Sequence, residues 1–440
     1  MIRNIIIGAA SGNSSNSIFG IMPGVTFSSG PNYFYARAIT EGGIAVDGLG
    51  NFHVVGTLGS KIYVSKISPA GNILWQRSFI GYQNSRGTSC ALDASGNLYV
   101  TGVGTPSPDL IFYKFSSNGT QLFELKATTV YWGGAASVAV PAGHNTVLLG
   151  PTIGSETYGG NDAPIYRINA DGTNQTTLGG TGGLPSEEAR RLKISSQDPT
   201  ILYHLFQNEA QAGGSQVRRY QISQTPSGET MLATLLQGNL RSYNSDFNIR
   251  GADGDSLSTY VCGITQSGKA IVAKYSALIP YSSYFSGLSS PLWAKIFDDA
   301  TSFNNILIYD STLYLCGEAA GKGLIVTMDF SGNVLLYRHL GAPTQSNIVD
   351  IKIHDEKIPG IGNANGTGFI FKTPLTMPPG VNGMYSITSP TYTATSSPGW
   401  MSGTLEGASL VIGASLVNAG TSYDPGAVTG ADPTPIIFNI

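Results

Sequence analysis

The residues able to do chemistry in this chain are few and widely spaced. There are five histidines, at His53, His144, His204, His339 and His354. No two of them have the spacing of a zinc site, and the sequence has no H-E-x-x-H motif. It also has no G-x-S-x-G nucleophile elbow. It has no phosphate-binding P-loop either, because Gly321-Lys322-Gly323 is a turn. We therefore expect no metal site, no cofactor and no catalytic residues, and predict that the protein is not an enzyme.

Three aspartates, Asp47, Asp93 and Asp310, recur at one position of a repeated turn. A catalytic carboxylate has no reason to recur, whereas an aspartate that caps a turn does, because its side chain accepts hydrogen bonds from nearby backbone N–H groups. We predict the capping role. Cys262 and Cys316 occupy matching sites in neighbouring repeats, too far apart for a disulfide, and are expected to be buried as small apolar residues.

Two loops combine aromatic side chains with glycine and small polar residues. One spans residues 129–134 and the other residues 279–287. Tyrosine and tryptophan in such settings bind sugar faces or form protein hot spots, although packing on the strands beneath is the alternative. The candidate ligand-binding residues are Tyr131, Trp132, Tyr281, Tyr284 and Phe285.

A repeat of four short strands must position these loops. Its clearest copy spans residues 43–81, with strands at 44–46, 52–56, 62–67 and 73–79 and turns rich in Gly, Asn and Asp between them. Further copies follow at a period of about 45 to 55 residues, which is typical of propeller blades. The sequence therefore predicts an all-β fold, a seven-bladed β-propeller with extra β segments at both termini. The best helix candidate is the short segment 186–192.

The seventh copy lacks its fourth strand, because prolines at 374, 378 and 379 interrupt it. Residues 33–39 share the aromatic, arginine and apolar positions of strand 73–79. We predict that they pair beside 368–372 and close the ring, which covers exposed strand edges. The predicted domains are an N-terminal arm (1–32), the propeller (33–374) and a β-rich C-terminal extension (375–440). The two ends form either one small β unit or separate arms that lie on a partner.

The repeat also carries a recognisable phrase, Val-Asp-x-x-Gly-Asn-x-x-Val-x-Gly, followed by Lys-Ile-Ser-x-x-Gly-Asn-x-Leu-Trp. It resembles bacterial SBBP-type β-propeller repeats, most strongly in the first, second and sixth copies. The resemblance implies a propeller fold and no particular reaction. Gly-Asn-x-Leu-Trp is also distantly similar to pyrroloquinoline-quinone dehydrogenase repeats. Those enzymes have eight blades and an adjacent cysteine pair, and this chain has no such pair.

Composition narrows the possible partners. Charged residues make up 12% of the chain, against a usual share of roughly 25%. The net charge of −3 offers no basic stripe for nucleic acid. No apolar run reaches the roughly 18 residues of a membrane helix, and the N-terminal apolar run is too short for a signal peptide. We expect no nucleic-acid binding and no membrane insertion.

These observations favour a non-enzymatic structural or adhesive module of a large assembly. A bacteriophage tail or another virion component fits best, with the terminal segments contacting other subunits. The alternative is a lectin-like propeller that binds cell-surface glycan through the aromatic loops, which a glycan array would distinguish. A third hypothesis is an enzyme with its site in the central channel.

Overall fold

A computed structural model of the chain shows an all-β protein. It describes residues 18–22, 24–27, 43–79, 83–105, 109–127, 132–155, 160–173, 176–181, 187–208, 214–226, 228–234, 240–241, 247–276, 291–340 and 345–375, and the short segments 385–387, 392–395, 416–418 and 436–439. These residues form seven antiparallel blades of a β-propeller, as predicted.

The first four blades follow one another along the chain. After β1 (Ile18–Met22), blade 1 contains β2 (Val25–Thr26), β3 (Ile44–Val46), β4 (Phe52–Leu58), β5 (Lys61–Ile67) and β6 (Ile73–Phe79). Blade 2 contains β7 (Gln83–Leu92), β8 (Leu98–Thr105), β9 (Asp109–Phe115) and β10 (Gln121–Ala127). Blade 3 contains β11 (Trp132–Ala139), β12 (Thr146–Ser155), β13 (Gly160–Asn169) and β14 (Thr176–Thr181). Blade 4 contains β15 (Glu187–Ile194), β16 (Ile201–Asn208), β17 (Gly214–Gln224), β18 (Thr230–Thr234) and β19 (Leu240–Arg241).

The remaining strands complete the ring. Blade 5 contains β20 (Phe247–Gly254), β21 (Ser258–Thr265), β22 (Ala270–Ser276) and β23 (Trp293–Phe297). Blade 6 contains β24 (Ala300–Tyr309), β25 (Thr312–Ala319), β26 (Lys322–Asp329) and β27 (Val334–Leu340). Blade 7 contains β28 (Ser346–Ile351), β29 (Lys357–Ala364), β30 (Thr367–Pro374) and β1. The last strands are β31 (Tyr385–Ile387), β32 (Tyr392–Thr395), β33 (Leu416–Asn418) and β34 (Ile436–Asn439).

Each blade has apolar side chains on both of its faces, because successive residues of a strand point to opposite sides. In β5, Ile62 and Val64 pack toward blade 2, while Tyr63 and Ile67 pack toward blade 7. A strand such as β5, which packs against a blade on each side, therefore has no face of polar residues exposed to solvent. This arrangement accounts for the long apolar runs and the low share of charged residues.

The two ends of each blade define two faces of the ring. The lower face is the end of the ring that carries, in each blade, the turn between the first and second strands and the turn between the third and fourth strands. The upper face carries the turns between second and third strands and the connections to the next blade. The inner strand of blade 1 is split, because β2 and β3 both pair with the same edge of β4.

The ring is closed by an N-terminal strand, but the predicted segment was wrong. β1 pairs antiparallel with β30, from Ile18 opposite Lys372 to Met22 opposite Gly368. A strand has only two edges, and those of β30 are occupied by β29 and β1. Residues 33–39 therefore cannot pair beside 368–372, and they lie outside the described residues. The propeller accordingly includes β1, which the sequence had placed in an N-terminal arm.

The best helix candidate, 186–192, is a strand from residue 187 onward, since β15 pairs with β16, and residue 186 lies outside the described residues. The described strands of the C-terminal segment add to the chain's own blades. They extend blade 6 (β31), blade 5 (β32), blade 2 (β33) and blade 7 (β34), in each case as a fifth strand at the outer edge.

Neighbouring blades are joined near the lower face by cationic side chains that donate to a main-chain carbonyl of the next blade, in a turn or at a strand end. In blade 1, Lys66 Nζ and Trp75 Nε1 both donate to the carbonyl oxygen of Ser117, at 3.5 and 3.2 Å. The same arrangement recurs at Lys114 to Ala170, Arg167 to Thr230, Arg219 to Asp255, Lys274 to Phe330, Arg338 to Pro374 and Lys372 to Pro69. Every one of the seven blade junctions therefore has a charge-assisted hydrogen bond.

Candidate functional site

The predicted aromatic loops fall almost wholly outside the described residues. Trp132 is the first residue of β11, and its backbone lies opposite Ile153. The side chain of Trp132, and all of Tyr131, Tyr281, Tyr284 and Phe285, lie outside the described part of the chain. The glycan hypothesis therefore stays a prediction.

Two of the three recurring aspartates cap turns as predicted. Asp47 accepts hydrogen bonds from the backbone N–H groups of Leu49 and Asn51, at 3.0 and 2.9 Å. Asp93 accepts the equivalent pair from residues 95 and 97. Burial acts to raise the pKa of Asp47, but side-chain hydrogen bonds from Asn51 and Lys66 outweigh it and hold that pKa well below its usual range. These carboxylates stabilise turns.

The prediction for Asp310 was wrong. Asp310 has a φ of 44° and forms a two-residue turn with Ser311, whose φ is 57°. In that left-handed conformation the backbone itself makes the turn, and no cap is needed. The capping geometry appears instead at Asp329, which accepts from the N–H groups of Ser331 and Asn333 at 2.9 and 2.8 Å. The cysteine prediction is confirmed, because Cys262 and Cys316 are free and fully buried.

The inner strands enclose a cavity of about 470 Å³ near the lower face, which we call the central cavity. Its wall is asymmetric. Blades 1 to 3 contribute small and apolar residues, among them Ile44, Ala45, Cys90, Leu92 and Val138. Blades 4 and 7 contribute the charged residues Arg191, Lys193, Asp350 and Lys352. These charged residues therefore come from blades 4 and 7, whereas apolar residues come from blades 1, 2, 3, 4, 6 and 7.

Lys193 is held in place by a carboxylate of the next blade. Its ammonium lies 2.9 Å from Asp253 Oδ2 and also donates to the carbonyl of Ile306. Asp253 is fully buried and accepts further hydrogen bonds from the Ser196 hydroxyl at 2.6 Å and the Ile308 N–H at 3.3 Å. Blades 4, 5 and 6 therefore meet at one saturated carboxylate, which fixes the position of the Lys193 ammonium.

Lys352 has a looser environment. Its ammonium lies 3.3 Å from Asp350 Oδ2, and its side chain is 35% exposed. Asp350 itself is buried and also accepts from Asn305 Nδ2 and from the Ile351 N–H. Burial lowers the pKa of Lys193, with Asp253 opposing this and the nearby charges of Lys352 and Arg191 adding to it. The positive charges of Lys352 and Arg191 therefore disfavour the protonated form of Lys193.

The thiol that borders the cavity is inert. Burial raises the pKa of Cys90 to about 12, and only a thiolate is nucleophilic. Among the described residues, no group of three or more His, Cys, Asp or Glu side chains is placed to hold a metal ion. No helix in the described part of the chain is long and apolar enough to span a membrane.

The sequence reasoning missed Lys193, Asp253, Asp350 and Lys352. They lie near the ends of the inner strands of blades 4, 5 and 7, and only Asp350 and Lys352 are close to each other in the sequence. A signal existed in hindsight, because in a chain poor in charge the penultimate residue of each of these strands is a lysine or an aspartate.

A second feature of the lower face is its exposed apolar side chains. In the described residues the exposed large hydrophobic side chains are Leu49, Leu74, Leu122, Met231, Leu257, Leu292, Tyr309 and Leu335. Seven of them lie at the turns of the lower face or within the first two residues after them, and Tyr309 is the last residue of β24, directly before such a turn. These eight side chains belong to blades 1, 2, 4, 5 and 6, so the described part of the lower face carries exposed apolar groups around much of the ring.

Three of these leucines occupy the same structural position. Leu74, Leu122 and Leu335 are each the second residue of an outer strand and lie at a register shift in the pairing with the third strand. They are 53%, 52% and 59% exposed. A β-bulge there directs the extra side chain outward and prevents regular pairing of that part of the edge.

Comparison with solved structures gives distant similarities, one of them to a protein described as a propeller. The Dos1 propeller is 10% identical, with 83% of this chain and 94% of that chain covered and a TM-score of 0.47. Prolyl oligopeptidase B from Galerina marginata is 13% identical over 86% of this chain and 51% of that one, with a TM-score of 0.49. A putative 6-phosphogluconolactonase from Bacteroides fragilis is 11% identical over 88% and 100%, with a TM-score of 0.45. No known family profile matches this chain, and no curated protein sequence does.

Proposed function

We propose that this propeller is a non-enzymatic structural or interaction module of a large assembly, and that its lower face contacts an apolar surface of a neighbouring protein subunit. The observation that carries the proposal is the placement of the exposed large hydrophobic side chains. In the described residues all of them lie on the lower face. Apolar side chains gathered on one face are characteristic of protein contacts.

The ring beneath this face is rigid, which favours a contact surface. Cations that donate to main-chain carbonyls join each blade to the next near the lower face, including Lys372 of blade 7 to Pro69 of blade 1. A preorganised surface loses less conformational entropy on binding. The bulges at Leu74, Leu122 and Leu335 disfavour addition of a partner strand beside them. The contact is therefore made by side chains.

The terminal segments also have a role in the proposal. Their described strands pair with the outer edges of the chain's own blades, so they thicken four blades of the ring. Further contacts from these segments to other subunits are part of the proposal. A virion, such as a bacteriophage tail, is the assembly that the low charge and the glycine- and threonine-rich termini favour.

The test replaces three exposed leucines in one variant, L74S/L122S/L335S, produced in the native source. The full-length variant should keep its melting temperature but sediment as a free chain, whereas the unaltered protein sediments with a large particle. The matched control is K61S/Q266S/K322S, which adds three serines at turns of the upper face. Incorporation of the leucine variant at the normal level would refute the proposal.

A further inference from the structure

Another cavity, of about 540 Å³, lies between blades 6 and 7 at the lower face, and we call it the interblade cleft. Its wall includes Tyr309, Asp310 and Tyr314 of blade 6 and Asp355, Glu356 and Lys357 of blade 7. Tyr309 is also one of the exposed apolar side chains of the lower face. The cleft therefore adjoins the surface that we propose to contact a neighbouring subunit.

The acidic side chains of the cleft are carried by two tight turns. Asp310 and Ser311 form one turn and Asp355 and Glu356 the other, all four with a positive φ. Because the backbone alone makes such turns, their carboxylates are not needed as caps. Asp355 pairs with Lys357 at 3.1 Å. The side chains of Asp310 and Glu356 have no ion pair and no hydrogen bond among the described residues, so both can bind a cation.

A nearly buried tyrosine of the cleft wall has an unpaired hydroxyl. Tyr314 is 7% exposed, and its ring belongs to the apolar core between blades 6 and 7. Its hydroxyl forms no hydrogen bond with any residue that the structure describes. Burial raises the pKa of Tyr314, Arg338 opposes this rise and Asp310 adds to it. The hydroxyl is therefore protonated at neutral pH and can accept a hydrogen bond from a molecule in the cleft.

The basic side chains behind the cleft do not pair with these carboxylates. Arg338 donates to the main-chain carbonyl oxygens of residues 374 and 375, at 3.2 and 3.3 Å, and Lys372 donates to a carbonyl of blade 1. A metal ion does not fit either, because the described residues hold no group of three or more His, Cys, Asp or Glu side chains placed to ligate one. Carboxylates on two separate turns suit an extended organic cation instead. A guanidinium has five N–H donors in a planar fork and stacks on aromatic rings, so it can reach both turns and a tyrosine.

We propose that the interblade cleft receives an arginine side chain of the neighbouring subunit. The guanidinium donates to the carboxylates of Asp310 and Glu356 and to the hydroxyl of Tyr314, and its aliphatic stem packs beside Tyr309. This inference rests on the proposed function, because it names the chemistry of the partner at the lower face.

The probe is N-acetyl-arginine methylamide, with the citrulline analogue as an uncharged molecule of the same shape, added to the isolated full-length protein and followed by saturation-transfer NMR. The arginine probe should bind with a Kd below roughly 10 mM and about tenfold more tightly than the citrulline probe. Raising the ionic strength should weaken only the arginine probe, because only its binding includes an ion pair. Equal binding of the two probes, or no saturable binding of arginine, would overturn the proposal.

Three variants locate the site. Asp310→Asn/Glu356→Gln should weaken the arginine probe about tenfold, and Tyr314→Phe, which removes only the hydroxyl, about threefold. The control Asp298→Asn/Glu318→Gln removes two carboxylates from the upper face of blades 5 and 6 and should change nothing. Unchanged affinity in the Asp310 and Glu356 variant would place the binding elsewhere and refute the assignment. Should that variant fail to fold, the comparison of arginine and citrulline on the native protein still decides.

The outcome is separate from that of the assembly test, because the probes bind the isolated protein. Absence of arginine binding would refute the cleft as a cation site and leave the apolar contact standing. Normal incorporation of L74S/L122S/L335S would refute the apolar contact, whatever the probes show.

Discussion

Asn363 provides the sharpest test of ring closure. It lies in β29 of blade 7, and its side chain bonds the main chain of Phe27 in blade 1. The Phe27 N–H donates to Asn363 Oδ1, and Asn363 Nδ2 donates to the Phe27 carbonyl, both at 2.8 Å. One amide side chain thus joins the first and last blades in the manner of a ladder pair. We expect Asn363→Ala to weaken this junction specifically.

The magnitude follows from the two bonds and their burial. Each hydrogen bond contributes about 0.5–1.5 kcal/mol, and a buried donor or acceptor left unsatisfied costs about 1–3 kcal/mol. Phe27 is only 3% exposed, so water cannot readily replace the lost partner. The expected loss in the free energy of unfolding is about 3 kcal/mol.

The assay is urea unfolding followed by tryptophan fluorescence, with hydrogen exchange to locate the effect. The control is Asn72→Ala, at an exposed turn where the main chain of Asn72, rather than its side chain, bonds Ser68. The alanine at 363 should also speed exchange at residues 25–27 and 44–46. A loss below about 0.5 kcal/mol, equal to the control, would show that this junction does not hold the ring closed.

Three further predictions concern stability. Gly317→Ala should lower the free energy of unfolding by about 3 kcal/mol, because an added Cβ would lie 1.9 Å from a carbonyl oxygen of the neighbouring strand. Gly48→Ala is the control: Gly48 has open space around it, so this change should alter a thermal melt little. Burial lowers the pKa of His204 to about 3, so the folded state resists protonation. Protonation of this residue should therefore lower the free energy of unfolding by about 1.4 kcal/mol per pH unit as the pH falls from 6.5 toward 4. His204→Gln should remove that contribution to the pH dependence, measured by urea unfolding at several pH values. An unchanged pH dependence would contradict the burial argument. A chain that starts at Val25 lacks β1 and should aggregate or melt earlier by calorimetry, whereas a chain that starts at Ser17 retains β1 and should melt as the full chain does.

Much of the fold could be predicted because each blade repeats the same local pattern. The strands around Asp47 and Asp93 were recognisable from alternating apolar residues and from turn residues with a mechanical role. The capping bonds of both aspartates confirm that reasoning. The repeated Lys and Trp also gain a physical reason, since Lys66 and Trp75 converge on one carbonyl of the next blade.

The predictions that were wrong concerned contacts between distant parts of the chain. Residues 33–39 matched an outer strand in pattern, but a pattern does not decide which of two apolar segments takes the free edge of β30. The best helix candidate, 186–192, forms a ladder with β16 from residue 187 onward, because tertiary pairing overrides weak local preference. The central cavity was invisible to the sequence for the same reason, since Lys193 and Asp253 belong to different blades.

Hydrogen exchange on the protein alone and within its native assembly tests the central claim most directly. Amides at lower-face turns (residues 47–51, 68–72, 116–120 and 330–333) should become protected in the assembly, because a partner covers the leucines beside them. Upper-face turns at 59–60, 266–269 and 320–321 should exchange equally in both states. Protection confined to the upper-face turns, with the lower face unchanged, would contradict the account.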